Sequence, residues 1–100
     1  MKIENDGLIL SFEIVEHPTV RQQLKYRSDL VKSDTDNDLF SQHWAAALPL
    51  ISKWECALLP DPTGLDIDNE TNPQIANLVE FVSMSVFNHI QKLDAIEKKA

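Results

Sequence analysis

DLFSQHWAAALPLISKWECALLPDPTGLD, residues Asp38 to Asp66, is the stretch whose reading decides the fold. It is the densest apolar part of the chain and holds both tryptophans, the single cysteine and three of the five prolines. Phe40, Trp44, Ala47, Ile51, Trp54 and Leu58 recur at steps of three and four, the repeat that lines one face of a helix. The spacing predicts a helix here with that face in the core. Pro49 falls inside it, and in an unbroken helix its missing N–H would forfeit the bond to Ala45 and cost about 3 kcal/mol. A restart with Pro49 in a first turn is the alternative. The stripe keeps its phase across the proline, so the reading favours one kinked, continuous helix. Leu59-Pro60-Asp61-Pro62-Thr63-Gly64 ends it.

Downstream, Asn72-Pro73 is a helix start, with asparagine as N-cap and proline in the first turn. A third helix is predicted from there to about Glu97, its stripe formed by Ile75, Leu78, Val79, Val82, Val86, Ile90, Leu93 and Ile96. Helices two and three are expected to pack through Trp44, Ile51 and Trp54 against Val79, Val82 and Val86. Between them runs an acidic loop with Asp61, Asp66, Asp68 and Glu70, which Leu65 and Ile67 could pin to the core.

Upstream, Pro18 favours an extended approach, and Thr19 with Gln22 makes a capping box for a first helix. Val20, Leu24, Arg27 and Val31, with Leu30 beside them, give it a thin apolar stripe, as expected of a peripheral helix. Ser33–Asp38 breaks the pattern with turn-formers. At the N-terminus Lys2–Glu4 and Leu8–Val15 flank Asn5-Asp6-Gly7, a hairpin turn in which Gly7 can take a positive φ. Leu8, Leu10, Phe12 and Ile14 alternate with the other strand residues, so one face is buried. The fold class is α+β and mostly α: three main helices with a short N-terminal β-hairpin. The expected organisation is one domain over 1–100, with the hairpin at 1–15 and a helical core at 19–98.

Composition narrows the function. At 43% hydrophobic and 25% charged residues the chain reads as globular, and its apolar runs are too short to span a bilayer. Lacking the layout of a signal peptide, with Cys56 as its one cysteine, it is expected in a reducing cytoplasm. A net charge of −7 argues against general nucleic-acid binding, which requires excess Lys and Arg on phosphates.

Reaction chemistry finds little footing. Asp34-Thr35-Asp36-Asn37-Asp38 opens like a calcium loop, but its sixth and twelfth positions are Leu39 and Ala45 where Gly and Glu are needed. Asp66, Asp68 and Glu70 fail in the same way, at Thr71 and Asn77. His17, His43 and His89 have no ligand spacing, and a zinc site needs three or four convergent ligands. Cys56 reads as a small hydrophobe of the core. Two isolated glycines cannot build a phosphate loop. The expectation is a non-enzymatic protein with no cofactor and no metal.

Two surfaces suit a protein partner. Phe81, Met84 and Phe87 lie off the main stripe of helix three and give its middle an apolar girdle. The girdle is either sealed between helix two and the hairpin or open to a helical client and to self-association. The second surface is a basic face of helix one, Arg21, Lys25 and Lys32, suited to an acidic partner of a small regulatory or inhibitory adaptor.

The segments TVRQQLKYRSDL, LFSQHWAAALPLISKWECALLPDP and LDIDNETNPQIANLVEFVSMSVFNHI resemble the tail assembly chaperone group of tailed phages and prophages. Trp54-Glu55-Cys56 and Leu59-Pro60-Asp61-Pro62 carry most of the likeness, which covers about Thr19 to Ile90. It implies a helical protein without enzymatic activity. Its client would be the long helical tape-measure protein, kept soluble while tail-tube subunits polymerise around it.

Overall fold

The computed structural model describes residues 1–31 and 39–99, with side chains described outside 31, 39–41 and 94–99. Three strands, β1 (Lys2–Asn5), β2 (Leu10–Ile14) and β3 (Ile51–Cys56), form one antiparallel sheet with β2 in the centre. Three helices accompany it: α1 (Val20–Val31), α2 (Leu39–Ala47) and α3 (Pro73–Lys99). The class is α+β and mostly α, as the sequence predicts. The turn expected at Ser33–Asp38, the calcium-like Asp34–Asp38 run and Lys32 lie outside the described residues.

The tryptophan-rich stretch is not one kinked helix, and that expectation is corrected. α2 stops at Ala47, a 3-10 turn follows at Leu48–Leu50, and Ile51 is extended with φ −110° and ψ 154°. Pro49 has no N–H to give the α-helical ladder, so the last turn tightens and the chain leaves as a strand. Val15 N–H donates to the Leu50 carbonyl at 2.8 Å and carries the sheet up to that turn.

β3 pairs with β2 at Leu10↔Cys56, Ser11↔Glu55, Glu13↔Ser52 and Ile14↔Ile51, with an irregularity opposite Phe12. Lys53 is the extra residue, held in the left-handed region at φ 50°. One inserted residue in a two-residue repeat flips everything after it to the other face. Ile51, Trp54 and Cys56 thereby all face inward. Lys53 meanwhile reaches across to Glu13, Nζ to carboxylate 2.9 Å.

The hairpin is built as expected, apart from the residue that bears the positive φ. A 3-10 turn at Asp6–Leu8 is closed by the Asn5 side chain, which accepts from Leu8 N–H at 3.2 Å. Ile9, not Gly7, then takes φ 51°. The cap sets Asp6–Leu8 in a right-handed turn, so the reversal falls on the next residue. For an L-residue that conformation costs roughly 1–2 kcal/mol. Leu10, Phe12 and Ile14 are buried and Leu8 is half-buried, the face predicted from alternation.

Both forecast helix starts are present. Thr19 Oγ1 accepts from Gln22 N–H at 3.2 Å while Gln22 Oε1 accepts from Thr19 N–H at 2.8 Å. Asn72 Oδ1 accepts from Gln74 N–H at 3.0 Å ahead of Pro73. Caps of this kind contribute about 1 kcal/mol each. α1 is turned differently from expectation. Tyr26 is buried with Gln22, Gln23 and Leu30 beside it, while Val20 and Leu24 are exposed. Tyr26 is the largest apolar surface on this helix, and burying its ring against α2 outweighs the aliphatic pair.

One core joins the inner face of the sheet to α2 and α3. Trp44, Val79, Val82 and Val86 are buried in it as anticipated. Ile51 and Trp54 reach it from the sheet instead of from a helix. Leu65 and Ile67 pack the acidic loop onto it.

Candidate partner-binding surface

α3 is the element on which the first candidate surface depends. Its buried stripe runs through Ile75, Leu78, Val79, Val82, Val86 and Ile90, and Ser83 and His89 are buried beside it. His89 ties the helix to the sheet: its Nε2 lies 3.0 Å from the Val15 carbonyl and 3.3 Å from that of Glu16. Nothing in the spacing of the histidines singled this residue out.

The girdle residues separate. Phe87 is half-buried and meets His43 of α2 edge to face, with ring centroids 5.2 Å apart. Phe81 is half-buried and packed against the core. Met84 is 37% exposed and is the member of the three that faces solvent. Leu8, Phe81 and Met84 line a groove of about 630 Å³ between α3 and the hairpin turn. Asn5, Asn77, Glu80, Ser85 and Asn88 complete its walls. The groove follows α3 for some three turns and mixes these three apolar side chains with three amides.

On α1, Arg21 and Lys25 are both exposed. Lys25 Nζ pairs with Asp29 one turn on, at 3.0 Å. The apolar neighbours Val20 and Leu24 turn outward with them, against the apolar stripe that the spacing predicts for this helix.

No family model matches the chain, and neither a curated protein nor a solved structure matches it. Among the described residues, no three or more His, Cys, Asp or Glu side chains gather as they would around a metal ion. Cys56 is buried, its Sγ 3.7 Å from the Leu8 carbonyl, in keeping with a core role. No described helix is long and apolar enough to cross a membrane.

Among the described residues, three buried polar atoms have no hydrogen-bond partner: Tyr26 Oη, His43 Nδ1 and Ser83 Oγ. Burial pushes the Tyr26 phenol up to about 12 and lowers the His43 imidazole from its ordinary 6.5. The sign for His43 follows from linkage. As pH falls through roughly 6.5 the unfolded chain takes up a proton that the folded ring resists, so stability declines until the folded ring also protonates. Above that window His43 contributes no pH dependence. Urea midpoints measured from pH 7.5 downward should therefore fall less steeply for His43→Gln than for the wild type just below pH 6.5. Identical slopes would show that His43 is solvated in the folded protein.

Proposed function

We propose that this chain is a non-enzymatic binding protein of the tail assembly chaperone kind, acting in the cytoplasm of a bacterial host. Its client would be a long helical protein such as the tape-measure protein. The observation that carries this reading is the groove lined by Leu8, Phe81 and Met84 on a helix whose stripe from Ile75 to Ile90 is in the core. An amphipathic client helix offers anchors at three- and four-residue spacing, which match a groove running along α3. Met84 suits this role because its unbranched thioether adapts to varied side chains. The amides of the groove can satisfy polar groups of the client without fixing one sequence. The resemblance of the TVRQQLKYRSDL, tryptophan-rich and Ile90-terminated segments points the same way.

Co-expression with a tape-measure-like helical protein tests it. Wild type should hold that client in solution, and Met84→Glu should weaken capture at least about tenfold, since a carboxylate replaces a buried apolar contact. Unchanged capture by Met84→Glu would remove the groove from the mechanism.

A further inference from the structure

Val20 and Leu24 are 71% and 57% exposed, an unusual state for two aliphatic side chains one helical turn apart. Residues at this spacing present their β-carbons about 5–6 Å from each other, so the pair forms one continuous ridge. Arg21 and Lys25 flank the ridge and are exposed with it. The protein carries a net charge of −7, so a basic and apolar ridge is foreign to the rest of its surface.

The same chain holds the complement of that ridge. Leu65 and Ile67 of the acidic loop, with Ile75 and Val79 of α3, line a cleft of about 320 Å³. Glu70 and Glu80 stand on its walls. Neither carboxylate has a cationic partner among the described residues. The cleft has room for more than one aliphatic side chain, and the acids on its walls are opposite in sign to the cations that flank the ridge. Val20 and Leu24 remain exposed, so a copy does not fill its own cleft.

We propose that a second copy of this chain docks its α1 ridge into this cleft, Val20 and Leu24 on the apolar floor and Arg21 and Lys25 against Glu70 and Glu80. The acidic partner suited to the basic face of α1 is then the chain itself. Like net charges keep copies apart at long range, which confines contact to places where local signs are opposite. The Lys25 side chain is 58% exposed while its partner Asp29 is 11% exposed, and an ammonium has three donors, so Lys25 can meet a neighbour without leaving Asp29. Ridge and cleft are different patches, so the contact is head-to-tail, and successive copies add in a ring or a row.

Sedimentation at rising concentration tests the proposal with variants at exposed positions. Glu80 also borders the client groove, so the cleft is altered at Glu70 and Ala76 instead. The wild type should rise above its monomer mass of 11.4 kDa. Arg21→Gln with Leu24→Gln, or Glu70→Lys with Ala76→Arg, should each weaken association at least about tenfold, the worth of one buried leucine. An equimolar mixture of the two double variants should form dimers and nothing larger, because each supplies the patch that the other lacks. Circular dichroism of each variant confirms that it is folded. A wild type that stays monomeric at millimolar concentration, a double variant that associates like wild type, or a mixture that yields no dimer would each overturn the proposal.

Discussion

Phe12→Ala should cost about 3–5 kcal/mol, a large share of the stability of a domain this size. Phe12 is 0% exposed and sits on the central strand, opposite Ile3 of β1 and beside the bulge of β3. Its ring lies 5.8 Å from that of Trp54, so truncation opens a cavity and strips an aromatic contact together. The neighbouring Ser11 points to the outer face, and Ser11→Ala should stay within about 0.5 kcal/mol. Urea denaturation of both variants measures the contrast. A loss below about 1 kcal/mol for Phe12→Ala would mean that the sheet does not rest on this face.

Trp54→Ala should be the next most damaging substitution, at about 3 kcal/mol. The indole bridges three parts of the molecule. It lies against Phe12, meets Trp44 of α2 edge to face at 6.1 Å, and donates its N–H to the Leu59 carbonyl at 2.6 Å. Trp54→Phe separates these contributions. It keeps most of the ring contact and gives up one hydrogen bond, so it should cost only about 1 kcal/mol. Trp44 then remains as the one tryptophan to report unfolding. Equal losses for alanine and phenylalanine would assign the effect to the bond with Leu59 and not to the ring contacts.

The same residue explains where sequence reasoning failed. Ile51 and Trp54 are three apart, a helical step, and they extend the stripe of Phe40, Trp44 and Ala47 without a break in phase. In a regular strand two inward residues are separated by an even number. The extra residue at Lys53 makes the interval odd and disguises a bulged strand as the continuation of a helix. Pro49 was the better signal, because its missing N–H is a local constraint that no periodicity can override. The capping box at Thr19, the Asn72-Pro73 start and the stripe of α3 were legible because each depends on neighbours in sequence. The outward turn of Val20 and Leu24 was not. It follows from a choice between two faces of α1, decided by how Tyr26 fits α2, and that fit is a property of the assembled fold. The division of Phe81, Met84 and Phe87 among core, groove and the His43 ring is likewise settled only once α2 and the hairpin are in place.

Lys53 has a consequence beyond its own strand. β3 borders the sheet with no further strand beside it among the described residues. A straight, regular border of this kind is a template on which other chains can stack by backbone hydrogen bonds, the first step toward insoluble fibres. The left-handed residue kinks that template, and the bulge interrupts its ladder of donors and acceptors. A cation on the bulge adds a group that is costly to bury under an incoming strand. The molecule can therefore meet its own copies along this border without converting contact into aggregation.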